Sequence, residues 1–144
     1  MTDLRELLSA GLRPGVYRWP SRAIADQVRR DAATAGFGFV LLDTGEIHDK
    51  TGFLDLCATA FDLPRWFGRN WDALADSLSD RSTGEPEVVL WRGLRHLLEH
   101  DHDTVDVALQ IFVEDTTNSG QLRVIIQDEP GAEPPDLLSS LPVL

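Results

Sequence analysis

Asp72 and Asp76 stand four residues apart, with Asp80 continuing the row, and they form the first of three groups whose types could do chemistry. Paired carboxylates serve as acid and base in glycoside hydrolysis. Neighbours on one exposed helix face lack the opposed placement around a substrate that such chemistry needs. The second group, Glu99-His100-Asp101-His102-Asp103, offers imidazole and carboxylate ligands to a divalent metal. It also falls where a helix should begin and an Asp serves as a cap, and no metal is assigned to it. His48 and His96 are isolated in sequence and read as surface or satisfied core residues. Cys57, the third candidate, lies on the apolar row Phe53, Leu54, Cys57 and Phe61 and reads as packing rather than as a nucleophile. With no Ser-His-Asp order, P-loop or Gly-x-Gly-x-x-Gly run, the expectation is a protein that is not an enzyme and binds no cofactor.

The carboxylate row needs a reason, because like charges at i and i+4 cost a helix about 0.2–0.5 kcal/mol per pair. Asp72, in the first turn of a helix over 70–78, gains from the helix dipole. Asp76 lies beyond that benefit, and no Lys or Arg at Ala75 or Leu78 neutralises it. A solvated acidic face is one reading. The other rests on Trp66 and Trp71, which flank the carboxylates, and on the Gly-containing loop that leads into them. Aromatic anchors beside unpaired charge make an interface for a basic partner.

The element that must position this row is a loop over 63–69 followed by the helix. Pro64 fixes its own φ, and Gly68 is expected to supply a conformation closed to other residues. Asn70 is a good N-cap, and Trp71, Leu74 and Leu78 fall on one face. Before the loop, the sequence predicts a short helix over 3–10, a strand over 16–19, and a helix over 21–35 capped by Ser21 with Ile24 and Val28 inward. A strand over 37–42 is apolar enough to be buried on both faces. Asp49 or Thr51 caps the helix that carries Cys57. After it come a polar linker over 80–86, a buried strand over 88–91, a short helical connection over 93–100, and a helix over 104–117 capped by Asp103. A last strand covers 122–126. Trp19 and Trp91 lie in strands and belong to the core. The segment 128–135 holds three Pro and should be irregular, whereas 137–144 is apolar enough to dock.

Strands alternating with helices predict an α/β fold with a mainly parallel sheet flanked by helices, with the strand order left open. A chain of 144 residues with 42% hydrophobic residues suits one domain with a core of its own. The net charge of −11 is unevenly spread: residues 1–36 carry six Arg and four acids, and residues 37–144 seven bases and twenty acids. Such a balance excludes nucleic acid and anionic membrane as partners and favours a cationic protein. One cysteine allows no internal disulfide. The first six residues form no signal peptide, and no stretch approaches the roughly 18 apolar residues of a membrane span. Cytoplasmic residence is therefore expected. Twelve Arg against one Lys suggests a GC-rich bacterial genome.

The run Pro64-x-aromatic-aromatic-Gly-x-Asn-x-Asp-Ala-Leu-x-Asp76, with Leu78 two places on, resembles the barstar family of ribonuclease inhibitors. Val88-Val89-Leu90-Trp91-Arg92 is similar to the family's central strand and Ala108-Leu109-Gln110-Ile111-Phe112 to its last helix. The resemblance covers about 38–128. It implies a three-layer core over 37–128 with three parallel strands, an extra strand and helix over 1–36 packed on it, and an irregular tail over 129–144. It implies a monomer that plugs the active site of a basic, secreted, guanyl-type microbial ribonuclease as a 1:1 heterodimer. Asp76 would enter the phosphate subsite and Asp72 would be a second carboxylate contact. Trp66 would pack on the enzyme, Gly68 and Asn70 hold loop and cap positions, and Glu114 adds a further acidic contact. Ala75 replaces a family aromatic contact and Trp71 a Leu. An antitoxin or immunity protein for a non-ribonuclease toxin, using the same acidic face, is the alternative.

Overall fold

Short apolar runs alternate with amphipathic ones along the chain, and the computed structural model turns that alternation into a layered α/β fold. It describes residues 3–64, 66–81, 84–118 and 120–144. Arg65 of the loop, residues 82–83 of the polar linker and Ser119 lie outside the described residues. The strands β1 (Gly15–Pro20), β2 (Gly38–Asp43), β3 (Glu87–Arg92) and β4 (Leu122–Asp128) form one parallel sheet in the order β1-β4-β3-β2. Val16, Val124, Val89 and Val40 lie side by side across it.

One face of the sheet is covered by α1 (Leu4–Ser9) and α2 (Ala25–Thr34). Leu4, Leu8, Val28 and Ala32 pack there against Trp19, Val88, Leu90 and Ile125. The other face carries α3 (Lys50–Ala60), α4 (Trp71–Asp80), α5 (Leu94–His100) and α6 (His102–Asn118). Phe53, Cys57, Leu74, Leu78, Leu97, Val105 and Phe112 pack onto Val40, Leu42, Val89, Trp91, Val124 and Ile126. Trp91 is wholly buried, and its indole N–H donates to Thr44 Oγ1 at 2.9 Å. Three layers of this kind are what alternating strands and one-sided helices must build. No described helix is long and apolar enough to cross a membrane.

The strand over 37–42 is not buried on both faces. β2 sits at a sheet edge; Val40 and Leu42 are buried, but Leu41 is 39% exposed. On that side α2 is the cover, and it leaves Leu41 open while Phe39 packs into the smaller cluster. The second helix also begins later than expected. Ser21 Oγ accepts the N–H of Ala23 in a local turn, and the helix starts at Ala25 with Ile24 62% exposed. The cause is tertiary. The Gln127 side-chain amide donates to the Ser21 and Ala23 carbonyls, and the Ser21 N–H donates to Asp128 O, so 21–23 is held against the end of β4 and outside the helix. Gly36, at φ +87°, closes α2. Asp101, not Asp103, caps α6, its Oδ1 accepting the Thr104 N–H at 3.1 Å.

β1 takes the other edge, and the chain's end protects it. The Arg18 N–H donates to Pro142 O and the Leu144 N–H to Arg18 O, while Leu138 is buried in the main core. These bonds close the ladder at Arg18, midway along the exposed edge of β1.

Candidate protein-binding site

The loop before α4 is built by two opposed side chains. A turn closes with the Phe67 N–H donating to Pro64 O at 2.9 Å. It sends Phe67 into the core at 6% exposure and leaves Trp66 outside at 84%. The left-handed residue here is Arg69, at φ +47°, not Gly68. Gly68 serves space instead: a Cβ on it would stand 3.0 Å from Asn70 Nδ2. The Arg69 side chain holds the loop to α3 through Asp55 at 2.7 Å. Asn70 then caps α4, its Oδ1 accepting the Ala73 N–H at 2.8 Å, as its side chain and position require.

Leu74 and Leu78 anchor α4 in the core, which fixes where the acidic face points. Trp71 is half-buried. It packs on Phe53 with ring centroids 5.9 Å apart, and the Lys50 ammonium lies 5.7 Å from its ring centre. Trp71 is thus a brace under the face, whereas Trp66 is its projecting aromatic.

Asp72, Asp76 and Glu114 are exposed and make no ion pair or hydrogen bond with any described residue. Two described neighbouring cations are engaged elsewhere. Arg69 is on Asp55, and Arg81 bridges Glu87 at 2.5 Å and donates to Phe61 O at 2.7 Å. Asp76 lies where two grooves meet. One, of about 210 Å³ between α4 and α6, is lined by Ala75, Asp76 and Glu114. The other, of about 450 Å³, runs from Trp66 and Gly68 to Asp76. Trp66, Gly68, Ala75, Asp76 and Glu114 are therefore brought onto one continuous surface. Asp72 and Asn70 line neither groove. Only the family resemblance pointed to Glu114; the packing of α4 against α6 puts it in one groove with Asp76.

The acidic-histidine run over 99–103 does not gather as a ligand set. His102 is exposed, its Nδ1 3.8 Å from Asp103. His100 instead meets His96 and His48, which are not isolated. Cys57 is buried in the core, and that burial pushes its thiol well above the usual range, leaving no thiolate for chemistry.

Fold and face together define a small α/β protein whose acidic surface carries Asp72, Asp76 and Glu114 exposed, with an aromatic at its rim. A family model described as Barstar (barnase inhibitor) matches residues 37–127, and the chain belongs to the barstar family. The matched span holds β2, β3 and β4 with α3 to α6, so β1 is a fourth strand added outside it. Comparison with curated proteins found no match.

Proposed function

We propose that this protein inhibits a basic, guanyl-type microbial ribonuclease by seating α4, its preceding loop and Glu114 in the enzyme's active site. Membership of a family of barnase-type ribonuclease inhibitors gives the class of partner. The observation that carries the reading is Asp76: exposed, unpaired among the described residues, and common to both grooves. A carboxylate so placed offers to an enzyme's phosphate-binding cations the charge that RNA would bring. Asp72 adds a second charge on the same helix, Trp66 supplies apolar contact area, and Gly68 and Asn70 hold the loop and cap that aim them. The protein acts as a plug and not as an enzyme, binding one partner as a monomer in the cytoplasm.

The second reading, an immunity protein for a non-ribonuclease toxin, draws on Ala75. It stands where the family pattern has an aromatic, and the groove beside it is open. A partner with a side chain shaped for that groove would be selected by it. Titrating a purified basic guanyl-specific ribonuclease with the protein separates the two. Inhibition that is complete at one equivalent is expected. Full activity at excess inhibitor would leave only the second reading.

A further inference from the structure

His48, His96 and His100 come from two places in the chain, and the fold brings them to one. The loop after β2 is held to the end of β3: the Thr44 N–H donates to Arg92 O at 2.9 Å, and the backbone at Gly45 passes against Gly93. That approach lays the loop, with His48, over α5, whose His96 and His100 are one helical turn apart. The three rings have centroids 4.4 to 5.0 Å apart, and one ligand nitrogen from each lies within 4.8 Å of the others.

Two further details point to a ligand. His96 Nε2 is shut off from solvent and has no hydrogen-bond partner among the described residues. A buried polar atom without a partner is costly and calls for an explanation. His100 Nδ1 lies 2.8 Å from the His96 carbonyl oxygen. A carbonyl only accepts, so Nδ1 carries a proton, and in the neutral ring the lone pair is then on Nε2. Metal-bound imidazoles are oriented by the same Nδ1–H to carbonyl bond.

We propose that His48, His96 and His100 bind a first-row transition ion of the Zn²⁺ class, which clips the loop between β2 and α3 to α5. Three imidazoles suit Zn²⁺, Co²⁺, Ni²⁺ or Cu²⁺ and not Mg²⁺ or Ca²⁺. Tetrahedral Zn–N bonds of about 2.0–2.1 Å place the nitrogens about 3.4 Å apart, so the triad closes inward on binding. Exposed His48, on a loop, is the group free to make that movement. Water completes the coordination. The ion braces the ends of the parallel strands and takes no part in the acidic face, which is built from other residues.

The test uses the full chain without a polyhistidine tag, stripped by a chelator and titrated with Co²⁺ by visible absorption and with Zn²⁺ by calorimetry. One ion per chain is expected, with a rise in melting temperature and no response to Mg²⁺. His48→Gln, His96→Gln and His100→Gln should each weaken binding by at least about tenfold, and His102→Gln should leave it unchanged. Melting each variant in chelator checks its fold. If His96→Gln does not fold, exposed His48 and His100 still decide the matter. No stoichiometric binding, or binding insensitive to His48→Gln and His100→Gln, would overturn the site and leave three tilted rings in contact.

Discussion

Gly93→Ala tests how tightly the ends of β2 and β3 are joined. Gly93 precedes α5 at φ +72°, and a Cβ there would stand 2.5 Å from Gly45 N and 2.7 Å from Gly45 Cα. Both neighbours are backbone, with no flexible side-chain end to swing aside. A left-handed Ala costs about 1–2 kcal/mol, and forcing extra volume into a packed place adds about 1–3 kcal/mol. The expected loss is therefore about 2–5 kcal/mol, a large share of the ~5–15 kcal/mol that holds a domain folded. At about 3 °C per kcal/mol for a chain of this size, the melting temperature should fall by about 6–15 °C. Gly36→Ala is the matched control: φ is +87°, and nothing lies within 4 Å of its Cβ. It should lose only the conformational share, about 1–2 kcal/mol. Urea unfolding of both variants isolates the close approach by difference. If Gly93→Ala costs no more than Gly36→Ala, the two loops do not meet as described.

Other perturbations have equally definite outcomes. Burial raises the Asp128 carboxyl, but the Arg95 hydrogen bonds, the Glu129 backbone N–H and the charges of Arg95 and Arg18 outweigh it, so its pKa lies below the ordinary value. That stability is present above about pH 4 and is lost as pH falls through the lowered value; urea midpoints between pH 5 and 2 should drop in the wild type and less in Asp128→Asn. Deleting residues 1–36 strips β1 from β4 and uncovers Val88, Leu90 and Ile125; calorimetric melting should show a large loss of stability, while a truncate kept below its melting temperature should still bind through Trp66, Asp76 and Glu114. Association with a basic ribonuclease should slow as salt rises, with dissociation changing less; stopped-flow rates flat across ionic strength would reject electrostatic steering.

Local signals were the legible ones. Asn70 and Asp49 cap the helices their side chains suit, and the inward rows of α3, α4 and α6 are those their spacing gives. The sheet edge suits β1, which ends in Pro20. What escaped was set by distant partners. Gln127 holds 21–23 outside the helix, and no signal at Ser21 announces that. β2 reads as buried because its residues are apolar, but burial depends on how far α2 reaches across it. The histidine triad had half a signal, His96 and His100 four apart, and its third member enters only through the contact of Gly45 with Gly93. On the acidic face, Asp72 and Asp76 were legible from spacing alone. The junction of two grooves at Asp76 needed α6.

Inhibition through α4 depends on Asp76, and truncating that side chain to Ala isolates its part. The side chain is exposed and unpaired among the described residues, so Asp76→Ala should leave the urea midpoint within the small range of surface substitutions, about ±0.5 kcal/mol. Calorimetry against the ribonuclease that the wild type inhibits should show a loss of at least ~2 kcal/mol, about thirtyfold in Kd. Unchanged stability with affinity reduced less than about tenfold would move the binding centre away from α4.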